Sequence, residues 1–193
     1  MSPEDEHAIA EAMRAARDRS RGYASFFEWA TDRDLEEQSV AGHLAASLAA
    51  NGAPSFSEIA IRGRGNDPPD LEAIDANGNR VAIEVTELVD GKSIQAFKAG
   101  RHYDWAEWDQ VKFLESITGL LKEKNARFPK LKGGPYAGGY VVLVFTDEPE
   151  LQRSTVEAYL SEHKFEGLNH VHRAILLLSY DPATRQCPYF ELI

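Results

Sequence analysis

The sequence predicts an α/β domain in which a mixed β-sheet is flanked by helices. Three observations predict it. A hairpin turn signal, Asn77-Gly78, lies between two short segments of strand-forming residues. Two later segments, 140–145 and 174–179, are almost wholly apolar and of strand length, which is typical of strands buried on both faces. Helical segments separate them, and such crossovers place parallel strands in the same sheet as the hairpin.

Composition narrows the class of protein. The 193 residues suit one domain, and 43% hydrophobic with 27% charged residues is typical of a globular chain. No run of roughly 18 apolar residues occurs, and residues 1–16 lack the apolar centre of a secretory signal. The single cysteine, Cys187, excludes an intrachain disulfide and a multi-cysteine zinc site. We therefore expect a cytoplasmic protein with no membrane partner.

The chain divides into a helical extension and the α/β domain. Residues 1–31 are rich in Ala, Glu and Arg and predict the extension, and residues 32–193 form the domain. Its first helix starts near Asp32 or Asp34, both good N-cap residues, and stops at Asn51-Gly52. The later elements are strands over 56–61, 71–74 and 80–86, a helix over 104–127, a strand over 140–145, a helix over 151–160, and strands over 174–179 and 189–193.

Proline, glycine and acidic residues mark the ends of the predicted strands. Pro68-Pro69 interrupts pairing between the first two strands, because proline lacks the backbone N–H. Asp90-Gly91 closes the third strand, and a looser stretch is expected from there to His102. Asp147-Glu148 follows the fourth strand and is interpreted as a solvated turn, with a position near the carboxyl end of the sheet as the alternative.

The net charge of −10 argues against binding of nucleic acid by attraction over the whole surface. The charge is unevenly distributed, however. Residues 92–132 hold nine Lys and Arg against five acids, whereas residues 1–40 hold five Arg against ten acids. Two ordinary solvated helix faces explain this equally well, so a local basic face stays open.

Two acids flank the hairpin. Asp70 follows the two prolines, and Glu84 lies inside the third strand between Ile83 and Val85. A turn centred between residues 77 and 78 places residue 70 opposite residue 85, so the two carboxylates approach one end of the hairpin. Close carboxylates repel each other, and a divalent cation such as Mg²⁺ or Mn²⁺ removes that repulsion.

The first domain helix supplies a third acid. At about 100° per residue, Glu37 falls near the centre of the apolar stripe, whereas Glu36 lies roughly 110° away. Glu37 is therefore a third candidate ligand or a residue that supports the ligands. The stripe consists of Val40, Ala41, Leu44, Ala45 and Leu48.

Pro69-Asp70, a strand-turn-strand and then Ile83-Glu84-Val85-Thr86 resemble the PD-(D/E)XK nuclease superfamily. The resemblance covers residues 34–146 and implies a restriction-endonuclease-like fold with the core order α-β-β-β-α-β. It implies that Glu37, Asp70 and Glu84 bind Mg²⁺ (or Mn²⁺) and that the protein hydrolyses phosphodiester bonds of nucleic acid, in the first instance DNA.

The sequence departs from that pattern at Thr86, which occupies the position of the motif lysine. The very-short-patch repair endonucleases carry Thr there, and some other members supply the lysine from the following helix. Here Gln110 and Lys124 project onto the apolar face of that helix, whereas Lys112 and Lys122 do not. Lys124 is then the candidate cation and Gln110 a polar group near the phosphate.

Simpler interpretations remain beside these. Asp70 can be a turn residue, Glu84 an exposed edge-strand residue, and Thr86 a residue of high β-propensity. Gln110 and Lys124 can extend along the helix surface toward water. Lys92 and Lys98 compete with Lys124 as the candidate cation. The alternative function is a catalytically degenerate binding or regulatory module, and a protein partner or a homodimer stays open.

Overall fold

The computed structural model describes residues 23–24, 26–27, 32–63, 65–99, 101 and 105–193. The predicted helical extension over 1–31 lies outside the described residues except for Tyr23, Ala24, Phe26 and Phe27. Within the described part, no helix is both long enough and apolar enough to cross a membrane.

The chain alternates helices and strands, which confirms the α/β class. The elements are α1 (Arg33–Ala50), β1 (Ser57–Ile61), β2 (Leu71–Ile74), β3 (Arg80–Glu87), α2 (Gly91–Lys98), α3 (Gln110–Arg127), a 3₁₀ turn (Phe128–Lys130), β4 (Tyr140–Thr146), α4 (Arg153–Leu160), β5 (Arg173–Leu178) and β6 (Tyr189–Glu191).

The six strands form one sheet in chain order, β1 to β6. Strands β1, β2 and β3 are mutually antiparallel, β3, β4 and β5 are parallel, and β6 returns antiparallel to β5. The predicted mixed sheet is therefore confirmed. The parallel pairs arise because a crossover containing a helix joins β3 to β4 and another joins β4 to β5.

Each face of the sheet carries its own apolar core. Helix α1 covers one face and α3 covers the other, so β4 is buried along its whole length, as its apolar sequence predicts. On β3, alternate side chains point to opposite faces. Val81, Ile83 and Val85 contribute to the core beneath α1, and Ala82 contributes to the core beneath α3.

Helix α1 begins and ends where the sequence predicts. The Asp32 carboxylate accepts hydrogen bonds from the backbone N–H groups of Asp34 (3.0 Å) and Leu35 (3.3 Å). The Asn51 N–H donates to the Ser47 carbonyl at 3.2 Å. These contacts satisfy backbone groups that a helix end leaves without partners.

The hairpin register differs by one residue from the prediction. Leu71 pairs with Ile83, so Asp70 lies opposite Glu84 rather than Val85. The reason is the loop length. Asp75 N–H donates to the Asn79 carbonyl at 2.9 Å, which closes a three-residue loop with Gly78 at φ +82°. Three-residue loops need a left-handed residue, which glycine adopts without strain.

Two predicted boundaries after β3 are wrong. The stretch expected to be loose contains helix α2, whose start is capped by Asp90: the Ser93 N–H donates to its carboxylate at 2.9 Å. Helix α3 begins at Gln110 rather than at residue 104. The Asp109 carboxylate accepts from the Lys112 N–H at 2.7 Å and so fixes the start.

Asp147 and Glu148 are buried, 8% and 3% exposed, so their interpretation as a solvated turn is wrong. Glu148 accepts hydrogen bonds from the Asp90 N–H and the Tyr23 hydroxyl, both at 2.6 Å. Strand β4 thus ends inside the protein, because residues distant in sequence cover its carboxyl end.

Candidate functional site

Asp70 and Glu84 lie side by side, where β2 begins and β3 runs past it. The Val85 N–H donates to Asp70 Oδ2 at 2.8 Å, which fixes the Asp70 carboxylate beside β3. Glu84 is fully buried, and the Asp70 side chain is 7% exposed. Strand β3 lies between β2 and β4, so the interpretation of Glu84 as an exposed edge residue is wrong.

Lys124 reaches this pair from the last turns of α3. Its Nζ lies 2.5 Å from Glu84 Oε2 and 3.9 Å from Asp70 Oδ2, and it donates to the Val85 carbonyl at 3.2 Å. Its side chain is 5% exposed. The helix places it there because Lys124 continues the buried stripe of Phe113, Ile117 and Leu121 at helical spacing. The predicted inward projection of Lys124 is confirmed.

Glu37 approaches from the second turn of α1. It is 8% exposed, as its position on the apolar stripe predicts, and its Oε1 accepts from Arg33 Nε at 2.7 Å. Glu37 and Asp70 line one cavity of about 390 Å³. The other residues that line it are Arg33, Asp34, Gly63, Asp67 and Arg127.

Two arginines of this cavity are absent from the sequence-based candidates. Arg127 Nη2 donates to Asp67 at 3.1 Å, and Arg127 Nη1 lies 3.3 Å from Glu84 Oε2. Helical spacing could have identified both arginines. Arg33 is four residues before Glu37 and Arg127 three residues after Lys124, so each shares a helix face with a candidate that the sequence did identify.

The electrostatics of the three acids share one cause. Burial, followed by the neighbouring charge of Asp70, raises the pKa of Glu37 to about 7, against the opposing effect of Arg33. Burial also raises the pKa values of Asp70 and Glu84, although Lys124 partly offsets the rise for both. Their negative charge is thus incompletely compensated by the protein.

The donor set fits a hard divalent cation. Five carboxylates and three cations converge here, and Oε1 of the buried Glu84 has no hydrogen-bond partner in the part of the chain that the structure describes. A buried carboxylate oxygen without a donor is costly, and carboxylate oxygens are the ligands that Mg²⁺ and Mn²⁺ prefer. Among the described residues, no three acidic, His or Cys side chains already stand in a metal-binding arrangement. Arg33 donates to Glu37 Oε1 and Lys124 donates to Glu84 Oε2, and a metal-binding arrangement would use these same oxygens.

The other predicted site residues lie in different places. Thr86 is half-buried on β3, two residues from Glu84 and therefore on the same face of the strand. Gln110 is exposed and donates to the Tyr159 carbonyl at 3.2 Å, at the opposite end of α3 and about 21 Å along the axis from Lys124. Its predicted position near the acids is thus wrong, since the apolar face fits the far end of α3 against α4. Lys92 and Lys98 are exposed on α2 and make no ion pair with described acids.

Comparison of the chain with protein-family models, with curated proteins and with solved structures finds no match in any of the three.

Proposed function

We propose that this protein is a metal-dependent nuclease that hydrolyses phosphodiester bonds in nucleic acid, DNA in the first instance, on a restriction-endonuclease-like fold. The fold proposal is supported by the succession of α1, the antiparallel β1-β2-β3, α3 and the parallel β4. This is the α-β-β-β-α-β order of the PD-(D/E)XK superfamily, with α2 as an addition.

One observation carries the functional proposal. Asp70 directly precedes β2, Glu84 lies in β3 and Lys124 lies in α3, yet both carboxylates lie within 4 Å of the Lys124 ammonium nitrogen. Packing alone does not require this, because burying three ionised groups costs more than burying apolar groups of the same size. A site that binds ions is a reason for tolerating such a cost.

Glu37, Asp70 and Glu84 are the residues that would hold Mg²⁺ or Mn²⁺. When bound, the ion would polarise a phosphoryl oxygen and lower the pKa of a bound water. The protein itself supplies the remaining functions. The Val85 N–H donates to Asp70 Oδ2 and so orients this carboxylate toward the site.

Lys124 supplies the positive charge that Thr86 lacks. Its ammonium lies against Glu84, on the face of β3 that also carries Thr86. It therefore brings a cation to the vicinity in which the superfamily pattern has one. That position suits compensation of negative charge on a phosphate at the adjoining cavity.

A cleavage assay on Mg²⁺-loaded protein tests the proposal. We expect Asp70→Asn and Glu84→Gln each to lower the cleavage rate about a thousandfold, since several kcal/mol of stabilisation depend on the ion. The matched control is Glu148→Gln, a substitution at another buried glutamate. Once circular dichroism shows that this variant is folded, it should cleave at the wild-type rate. Equal cleavage by all four proteins would contradict the proposal.

A second candidate function is a degenerate module that keeps the fold without catalysis. The observation that favours it is again Lys124, because a buried ammonium between Asp70 and Glu84 can replace a metal ion as their counter-charge. Calorimetric titration with Mn²⁺ separates the two. Binding that is lost in Asp70→Asn supports the nuclease, and no binding by the wild type supports the degenerate module.

A further inference from the structure

The acidic cavity has arginines on two of its walls, one from each helix that reaches the site. Arg33 is on α1 and Arg127 on α3, and both line the cavity together with Glu37 and Asp70. The sheet separates most of these two helices, so the cavity is a place where cations from both come to one opening.

The two arginines differ from Lys124 in accessibility. The Lys124 side chain is 5% exposed and lies against the fully buried Glu84. Arg127 is 29% exposed and Arg33 is 73% exposed. A molecule that enters the cavity therefore meets the guanidinium groups before it meets the ammonium.

Each arginine forms an ion pair in which at least one partner is exposed to water. Arg33, which is 73% exposed, pairs with the buried Glu37 at i, i+4, and Asp67, the hydrogen-bonded partner of Arg127, is 45% exposed. Water screens the exposed partner of each pair, so a guanidinium group can exchange its carboxylate for another anion more easily than in a fully buried pair. A phosphate diester offers a guanidinium two acceptor oxygens in the geometry that suits its fork of donors.

Neutralisation of the acids would release the arginines further. Glu37 binds Arg33 and Glu84 lies beside Arg127, and both acids belong to the proposed cation ligands. A carboxylate that ligates a cation attracts its arginine less strongly. Phosphate binding by the arginines should consequently strengthen when a divalent cation is present.

We propose that Arg33 and Arg127 form a two-sided clamp that binds the phosphodiester backbone of nucleic acid across the mouth of this cavity. The clamp rests on the proposed function, since it assigns the residues that position the substrate of that same site. It recognises backbone phosphate and not base identity, because guanidinium groups facing a phosphate carry no information on sequence. Lys124 lies behind the clamp, against the Glu84 carboxylate.

The salt dependence of binding tests the clamp. We would measure binding of a short fluorescent duplex DNA by anisotropy over a series of salt concentrations, in chelator and in Ca²⁺. Each phosphate contact contributes about 0.9 to the slope of log K against log salt for a duplex. Arg33→Ala and Arg127→Ala should each reduce the slope by about 0.9 in Ca²⁺ and weaken binding roughly ten- to a hundredfold.

Two variants separate contact from structure. Arg127→Lys keeps the positive charge and should therefore keep the wild-type slope. If Arg127 had only a structural role, Arg127→Ala would also leave the slope unchanged. Lys122→Ala removes an exposed cation from the same helix, two residues from Lys124 and so on another face, and should bind like the wild type. Wild-type slopes in both alanine variants, or no binding of duplex by the wild type in Ca²⁺, would overturn the clamp.

Cleavage in Mg²⁺, recorded on the same proteins, keeps the two proposals apart. Binding with the expected slopes but without cleavage supports the clamp and contradicts the nuclease. Cleavage combined with a salt slope that neither arginine substitution changes supports the nuclease and contradicts the clamp.

Discussion

Two groups of buried carboxylates lie in different parts of this fold and are stabilised in different ways. Glu148, after β4, accepts one hydrogen bond on each oxygen, from the Asp90 N–H and from the Tyr23 hydroxyl. Glu84, within β3, lies against the side chains of Lys124 and Arg127, and no described residue forms a hydrogen bond with its Oε1. Both glutamates are 3% exposed or less.

The contrast distinguishes a structural carboxylate from a candidate functional one. Donors that belong to the backbone or to a buried tyrosine are fixed, so the Glu148 arrangement holds the chain together and leaves nothing for a ligand to add. The Glu84 arrangement depends on flexible cations and leaves acceptor capacity unused. An incoming cation can improve it, because the protein has satisfied it only in part.

The largest expected effect on stability is that of Lys124→Met. Removal of the ammonium leaves Glu84 buried without its closest counter-charge, and we expect the free energy of unfolding to fall by about 3–5 kcal/mol. Urea denaturation at pH 7 measures it.

Lys112→Met on the same helix is the matched control. Lys112 pairs with Asp90 at 3.4 Å, but its side chain is 38% exposed, so a loss of about 0–1 kcal/mol is expected. Equal losses of unfolding free energy in the two variants would show that the buried pair of Lys124 and Glu84 stabilises the protein no more than the exposed pair of Lys112 and Asp90 does.

Glu37→Gln should alter the pH dependence of stability. The pKa of Glu37 is raised in the folded protein to about 7, so the folded chain keeps a proton that the unfolded chain releases above its ordinary pKa of 4.5. The free energy of unfolding of the wild type should therefore fall by at most about 3 kcal/mol as the pH rises from about 4.5 to about 7. Above that pH it should level off.

Chemical denaturation between pH 4.5 and pH 8 checks this prediction, and the variant should lose that part of the slope. Glu123→Gln, which changes an exposed carboxylate of α3, should keep the wild-type slope. An unchanged slope in Glu37→Gln would show that burial of Glu37 is unimportant.

The smallest of these effects concerns Tyr23. The hydroxyl donates to Glu148 and accepts from the Ala106 N–H at 3.2 Å, and burial, followed by the bond to Glu148, raises its pKa to about 12. Tyr23→Phe should cost about 2 kcal/mol, because it leaves a buried carboxylate oxygen without its donor. Thermal unfolding measures this loss. The control is Tyr180→Phe, which changes a tyrosine that is 44% exposed.

If the Glu148 region is purely structural, Tyr23→Phe should leave the rate of nucleic-acid cleavage unchanged. A lower rate per folded molecule would show that this region also contributes to the function, and the contrast with Glu84 would need revision.

Much of the fold follows from local sequence. The β2 strand over 71–74, the double-sided burial of β4 and the N-cap at Asp32 depend on side chains and neighbours within a few residues. The inward positions of Glu37 and Lys124 follow from the 3.6-residue period of a helix. Their placement is local geometry, so the sequence suffices for it.

Other features depend on contacts that no local pattern encodes. The same period placed Gln110 inward, yet it is exposed, since it begins α3 and its side chain donates to the Tyr159 carbonyl of α4. The hairpin register depends on whether its loop closes over two residues or three, and backbone hydrogen bonding decided for three.

The sequence by itself determined which residues are acidic, which helices and strands carry them, and which faces of those elements they occupy, because these properties repeat over a few residues. Only the tertiary structure decided that Lys124 lies on Glu84, that Arg127 joins Asp67 at the cavity, and that Tyr23 binds Glu148 from 125 residues away. Such pairings follow from how α3 and the N-terminal residues pack on the sheet, and packing depends on the shape of the whole core.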